Sequence, residues 1–391
     1  MRTLIFLAIL GLLFPLTAGR AATPPPSDWP ALNYDAGQTN DNPNESTLTA
    51  SNVLKVKVLW SRPIADNSYP IVAGGRVYDP VIAGRHIHIK EYMAQTGSFV
   101  RNFSRDALGG MLMDGSTLWA AGSKLQAIDA ATGATTGVVV PPSKAPHGTF
   151  LDPLIDGKYL LAGYTSTTSG TYNALYGIDP STQEILWRQP SETAQATVVS
   201  GRAVTVEPTT SAFYDESSGK QVGKWWVRSA WFAYGKQAYT VGVAPKTKQT
   251  TLYATNPSGH WLWQRSLGPP MAGTTWPEAA TSTAIYVGTY IPSEGVTAVN
   301  PKNGVTLWHR ALPNIVRIVV AGKLLYALTF GPTAPVAITV FDATSGKRLG
   351  TVTLSPGYAG FYAPNCLMVA NGEIFLRVVA STGSVLLALG K

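Results

Sequence analysis

Apolar and polar positions recur along this chain in one unit. Leu175–Trp187 reads LYGIDPSTQEILW: an apolar run to Asp179, a polar turn, then a second strand-like run ending in Trp187. Related copies are Leu252–Trp263, Val296–Trp308, Ile338–Gly350 and Leu125–Gly137, with weaker ones at Ser211–Trp226 and Ile89–Val100. Each predicts strand, tight turn, strand. Further apolar pairs broken by Gly or Ser precede them, as at Pro153–Thr165, Ala279–Tyr290, Ile318–Phe330 and Cys366–Val379. Aligned on the turn residues Gly97, Gly133, Gln183, Gly219, Gly259, Gly304 and Gly346, the copies lie 36, 50, 36, 40, 45 and 42 residues apart. That period, in strand-rich sequence, is the mark of a four-stranded propeller blade.

The turn explains its own composition. An Asp or Asn side chain accepts from backbone N–H groups a few residues on, and Gly accepts the left-handed conformation that closes the hairpin. Trp187, Trp263 and Trp308 stand four residues past the turn position, where a ring can lie flat on the turn of a neighbouring blade. They are read as structural docking residues rather than ligand contacts. Seven turns are visible. An eighth unit starts at Cys366 and runs out after its third strand, and Leu54–Trp60 (LKVKVLW) can supply the missing outer strand, with Trp60 as its docking ring. Closing the ring removes exposed sheet edges. The expectation is an all-β, eight-bladed β-propeller, with seven blades as the alternative count. It is divided as 1–21 export signal, 22–53 extended lead-in and 54–391 single propeller domain.

Composition adds boundaries. The first residues, MRTLIFLAILGLLFPLTAGRAA, carry an early Arg, an apolar core and small residues at Gly19 and Ala21, predicting an export signal cut after Ala21. The run is short and broken by Pro15, unlike a membrane anchor, and no later stretch approaches a spanning helix. No Cys follows the cut, so lipid attachment there is not expected. The mature protein is expected to be a soluble monomer, periplasmic or extracellular. Of 391 residues only 13% are charged, against 38 Gly and 28 Pro, which suits short strands joined by turns. The net charge of +8, or +6 once Arg2 and Arg20 leave with the signal, is scattered. A nucleic-acid partner would need a clustered basic face and is not expected. The single cysteine, Cys366, excludes an internal disulfide and reads as a buried free thiol in a strand.

The segments AIDAATG, GIDPSTQEILW, AVNPKNGVTLW and VFDATSG resemble the pyrroloquinoline-quinone (PQQ) repeat, roughly A-x-D-x-x-T-G-x-x-x-W. The lead-in from Asp28 to Trp60 is similar to that of PQQ-repeat propellers. The resemblance spans about Trp29 to Lys391 and implies fold more than function. Within the family, quinoprotein alcohol dehydrogenases bind PQQ with Ca²⁺ over the central channel, whereas a non-catalytic outer-membrane assembly factor scaffolds β-barrel insertion. This chain is shorter than the enzymes, lacks their adjacent-cysteine disulfide, and shows none of their calcium-ligand or Asp-base motifs. It also lacks the assembly factor's lipidation cysteine. The reading favoured is a non-catalytic scaffold in the cell envelope for a protein partner or small ligand. No cofactor is expected, and PQQ with calcium is the alternative, as a dehydrogenase of alcohols or sugars.

Chemistry-bearing candidates are few. His86 and His88 share a strand face but no third metal ligand can be placed, so no metal site is expected. The innermost strands are expected to start at Ser68–Pro70, Leu151–Pro153, Trp276–Glu278 and Tyr362–Pro364. Tyr69, Asp152, Trp276, Glu278 and Tyr362 would then ring one channel mouth as an aromatic and acidic binding rim. Asp152 and Glu278 could act as an acid/base pair only if the ring brought them together.

Overall fold

The structure is a computed structural model. It describes residues 27–391 apart from 65–68, 84–85, 104–108, 144, 167–171, 192, 206–209, 226–230, 245, 270–277, 289–294, 332–334 and 361–365. The predicted export signal lies outside the described residues. Eight sheets, each built on four antiparallel strands, form eight blades. Numbered along the chain, their innermost strands are Ile71–Ala73, Met111–Asp114, Gly148–Asp156, Ala196–Val198, Trp231–Tyr234, Glu278–Ala280, Ile315–Ala321 and Leu367–Ala370. Their outermost strands are Phe99–Phe103, Thr135–Val139, Ile185–Pro190, Gln221–Trp225, Trp261–Gly268, Thr306–Ala311, Arg348–Thr353 and, for blade 8, Lys57–Pro63. That last strand pairs antiparallel with Gly383–Gly390, so the early and late chain share one blade and close the ring. The seven-blade alternative is set aside. Among the described residues no helix is long and apolar enough to cross a membrane.

All seven turn residues, Gln183 included, have φ between +63° and +78°. The Asp129 Oδ1 accepts from the Thr132 N–H at 2.6 Å, Asn300 Oδ1 from Lys302 at 2.8 Å, and Asp342 Oδ1 from Ser345 at 2.8 Å. Hydrogen bonds of this kind favour the charged carboxylate, and they hold Asp129, Asp179 and Asp342 below the usual range.

The docking rings lie across blade boundaries. The Trp187 Nε1–H donates to the Glu216 carbonyl at 2.6 Å, Trp60 to Ala94 at 2.7 Å, Trp263 to Pro301 at 2.9 Å and Trp308 to Ala343 at 3.2 Å. Each ring covers the turn glycine of the next blade so closely that a methyl group there would stand 2.5–2.6 Å from it: Gly97, Gly219, Gly304 and Gly346. Two residues past three of these rings, Arg62, Gln189 and Arg310 donate to the turn-glycine carbonyl at 2.8 Å. Between blades 2 and 3 the arrangement is inverted. The outer strand has Gly137 at the docking position, and the neighbouring turn has Gln183, whose carboxamide occupies the space a Gly137 side chain would fill.

The lead-in from Ser27 to Asn42 is part of the fold. It runs around the ring at the mouth where the innermost strands end. Its carbonyls accept from the N–H groups of Asn371 (blade 8), Val72, Met113, Val198, Ala233, Ala280 and Val320 at 2.7–2.9 Å. At blade 3 the link is apolar: Ala31 belongs to the same buried cluster as Phe150 and Leu160. Asn33, Tyr34, Gln38 and Asn40 take positive φ, which lets the chain bend repeatedly to follow the ring. Asp41–Asn42 then adds to the inner edge of blade 7 as a parallel strand. Arg317, on the innermost strand of blade 7, donates to the side-chain oxygens of Asn33 and Asn40 in the lead-in.

Candidate functional site

The lead-in follows one mouth of the channel, and the innermost strands begin at the opposite mouth. Tyr69 lies there, half-buried, just before the innermost strand of blade 1. Asp152 reaches the same region from blade 3. Leu151–Pro153 does not start its strand, which begins at Gly148; it sits in an irregularity between Leu151 and Leu154. Pro153 and the bulge explain the difference, since the chain pairs on both sides of a local break. Asp152 there has φ +43°, an uncommon conformation for a residue with a Cβ. Its N–H donates to the Gly109 carbonyl at 2.6 Å, anchoring it to blade 2.

Burial pushes the Asp152 carboxyl up to about 6. Burial also raises the Tyr69 phenol, Asp152 raises it further, and the Arg377 guanidinium works in the opposite sense. Tyr69, Asp152 and Arg377 therefore bring blades 1, 3 and 8 into one electrostatic neighbourhood. Arg377 is fully buried, and its N–H donates to the Cys366 carbonyl at 2.9 Å. Sequence reasoning passed over Arg377, although a cation inside the apolar run EIFLRVVA was a visible signal.

Glu278 opens the innermost strand of blade 6, opposite Val287, and the orientation of its side chain lies outside the described residues. Trp276 and Tyr362 also lie outside them. The acid/base pairing of Asp152 with Glu278 accordingly has no geometry here. Cys366 is a buried thiol outside any disulfide, and it stands immediately before Leu367–Ala370 rather than within that strand. Among the described residues, no three His, Cys, Asp or Glu side chains converge to hold a metal ion. The region combines a carboxyl raised by burial and a half-buried phenol, groups that can accept from and donate to a polar ligand, with a fully buried cation whose charge acts on the phenol.

Fold and repeat define the chain as a PQQ-like-repeat propeller. The family profile described as outer membrane protein assembly factor BamB matches residues 114–314, and the chain belongs to that family. No curated protein matches the sequence significantly. Among solved structures, the chain is similar to the quinohemoprotein alcohol dehydrogenase from Comamonas testosteroni (13% identity, TM-score 0.61, covering 93% of this chain and 81% of that one). It is also similar to a europium-containing methanol dehydrogenase (12%, 0.59, 94% and 98%). BamB from Moraxella catarrhalis is a third (13%, 0.54, 86% and 100%). At these identities the likeness is one of fold, and it spans enzymes and an assembly factor alike.

Proposed function

We propose that this chain is an exported, non-catalytic binding platform of the cell envelope, engaging a protein partner or small ligand at the mouth that carries Tyr69 and Asp152, with the buried Arg377 acting on them through its charge. The observation that carries this is the lead-in. Its backbone carbonyls accept hydrogen bonds from the innermost strands along one mouth, which makes the two ends of the channel unlike and leaves the end carrying Tyr69 and Asp152 for a partner. The family's description as an assembly factor supports the partner reading.

A second reading, a PQQ- and calcium-dependent dehydrogenase, draws on Asp152, a strained carboxyl with a raised pKa at a channel mouth. Against it stands Cys366: as the chain's one cysteine it cannot form the adjacent-cysteine disulfide that the resemblance implies for the enzymes.

A thermal-shift series on the mature protein separates the two. PQQ at 100 times its dissociation constant would add about 2.7 kcal/mol to the folded state. A calcium-dependent rise would favour the dehydrogenase and overturn the platform. No shift, together with site-specific photocrosslinking of one envelope protein from position 69 but not from exposed Leu307, is the expected result.

A further inference from the structure

Blade 5 carries a second concavity, on its outer strands and away from the axis. Its volume is about 570 Å³, within the range of small-molecule sites. The floor is aromatic. Tyr253 and Trp261 stack with centroids 5.5 Å apart and planes at 26°. Trp225 of blade 4 stands edge-on to both rings, at 5.9 and 6.4 Å.

The strand register makes this a built face. Tyr253 pairs with Gln264 and Thr251 with Ser266, so these side chains share one side of the sheet. Ala254 and Trp263 take the other side, where Trp263 docks on blade 6. Trp261 is not the repeat's docking residue. It stands two positions past the turn, where the other blades carry Phe99, Thr135, Ile185, Gln221, Thr306 or Arg348. The ring is 47% exposed while Trp225 is 5% exposed. The fold therefore does not require a tryptophan at 261.

The edge of the cavity is polar but uncharged apart from Lys246. Gln249 accepts from the Ser266 hydroxyl at 2.6 Å, and Gln264 projects beside Tyr253. Carboxamides and hydroxyls both donate and accept, which matches a ligand whose own groups do both. A flat apolar floor with such an edge suits a ring that is apolar on its face and hydroxylated at its rim. We infer that this cavity is a carbohydrate-binding site, with a sugar ring lying on Trp261 and its hydroxyls held by Gln249 and Gln264. Lys246 extends the choice to acidic sugars.

The test uses the full mature chain with four probes: cellotriose, maltotriose, chitotriose and trigalacturonic acid. Saturation-transfer NMR and calorimetry are expected to find at least one binder. Trp261→Ala should weaken it by at least about tenfold, and Gln264→Leu should weaken it as well. Tyr69→Ala should leave it unchanged, which keeps this site's failure distinct from failure of the axial mouth. An unchanged thermal midpoint in Trp261→Ala would show that the fold survives. Absence of binding by all four probes overturns the inference. So does binding that survives Trp261→Ala, and so does preferential binding of an aromatic carboxylate such as 2-naphthoate.

Discussion

Replacing Trp308 with alanine tests the idea that the repeated tryptophan clips one blade to the next. The ring is 7% exposed, stacks at 27° on Phe341 with a centroid distance of 6.4 Å, and tilts against Tyr286 at 5.8 Å. Truncating a fully buried tryptophan removes about 3–5 kcal/mol. Part of such a cost commonly comes from an orphaned acceptor, but here the Ala343 carbonyl still receives the Tyr286 hydroxyl at 3.0 Å. The expected loss therefore falls at the lower end, about 3 kcal/mol. Leu307, one residue earlier and 47% exposed, is the control, and its alanine variant should stay within about 0.5 kcal/mol of the parent. Urea titrations followed by both fluorescence and circular dichroism give the comparison, provided the two probes coincide and the slopes match. A Trp308→Ala variant within about 1 kcal/mol of Leu307→Ala would refute the clip.

Two further outcomes follow from the same geometry. Gly137→Trp alone should destabilise, because its ring would overlap the Gln183 carboxamide. Adding Gln183→Gly should recover most of the loss by recreating the arrangement seen at the four boundaries with Trp60, Trp187, Trp263 and Trp308, and additive losses in a double-mutant cycle would argue against the inversion. The second outcome concerns pH. Burial raises Asp35 and Asp152 to about 6, Asp41 and Glu373 to about 7, and Glu216 to about 8. Carboxyls raised in the folded state contribute stability that is complete below the unfolded value of about 4 and is lost as pH climbs through the folded values. The thermal midpoint should therefore fall between about pH 5 and pH 8, and Asp35→Asn with Asp41→Asn should flatten the fall. A midpoint that rises over this range contradicts the burial of these groups.

The blades were legible because their turns write themselves in side-chain chemistry: Asp or Asn to accept, Gly to bend, Trp to cover. Gln183 broke that rule visibly, but its partner Gly137 could not be matched to it, since the compensation crosses a blade boundary. The closing strand was readable from Trp60. The path of the lead-in was not, because its bonds to the innermost strands run through backbone carbonyls that any residue possesses. Asp152 was placed at the mouth from its Pro153 neighbour, yet its φ and the bulge that positions it leave no composition signal. Arg377 belongs to a strand one step out from the axis, and a count of strand starts misses it. The aromatic floor of blade 5 was hidden in plain sight, as Trp261 reads like part of the repeat until the register separates it from Trp263.

The pairing of Lys57–Pro63 with Gly383–Gly390 also dictates an order of events. Chain emerging N-terminus first presents the lead-in and the closing strand long before their partners exist. Until the final strands arrive, Val58 and its neighbours form an unpaired edge, and the arc of blades between them stays open. Contacts this distant in sequence slow folding, and an open edge invites association with other chains. Completion is thus a single late event that converts an arc with two sticky ends into a ring with none. A holding factor that shields the early strand during synthesis or transport would act on this protein at one identifiable segment.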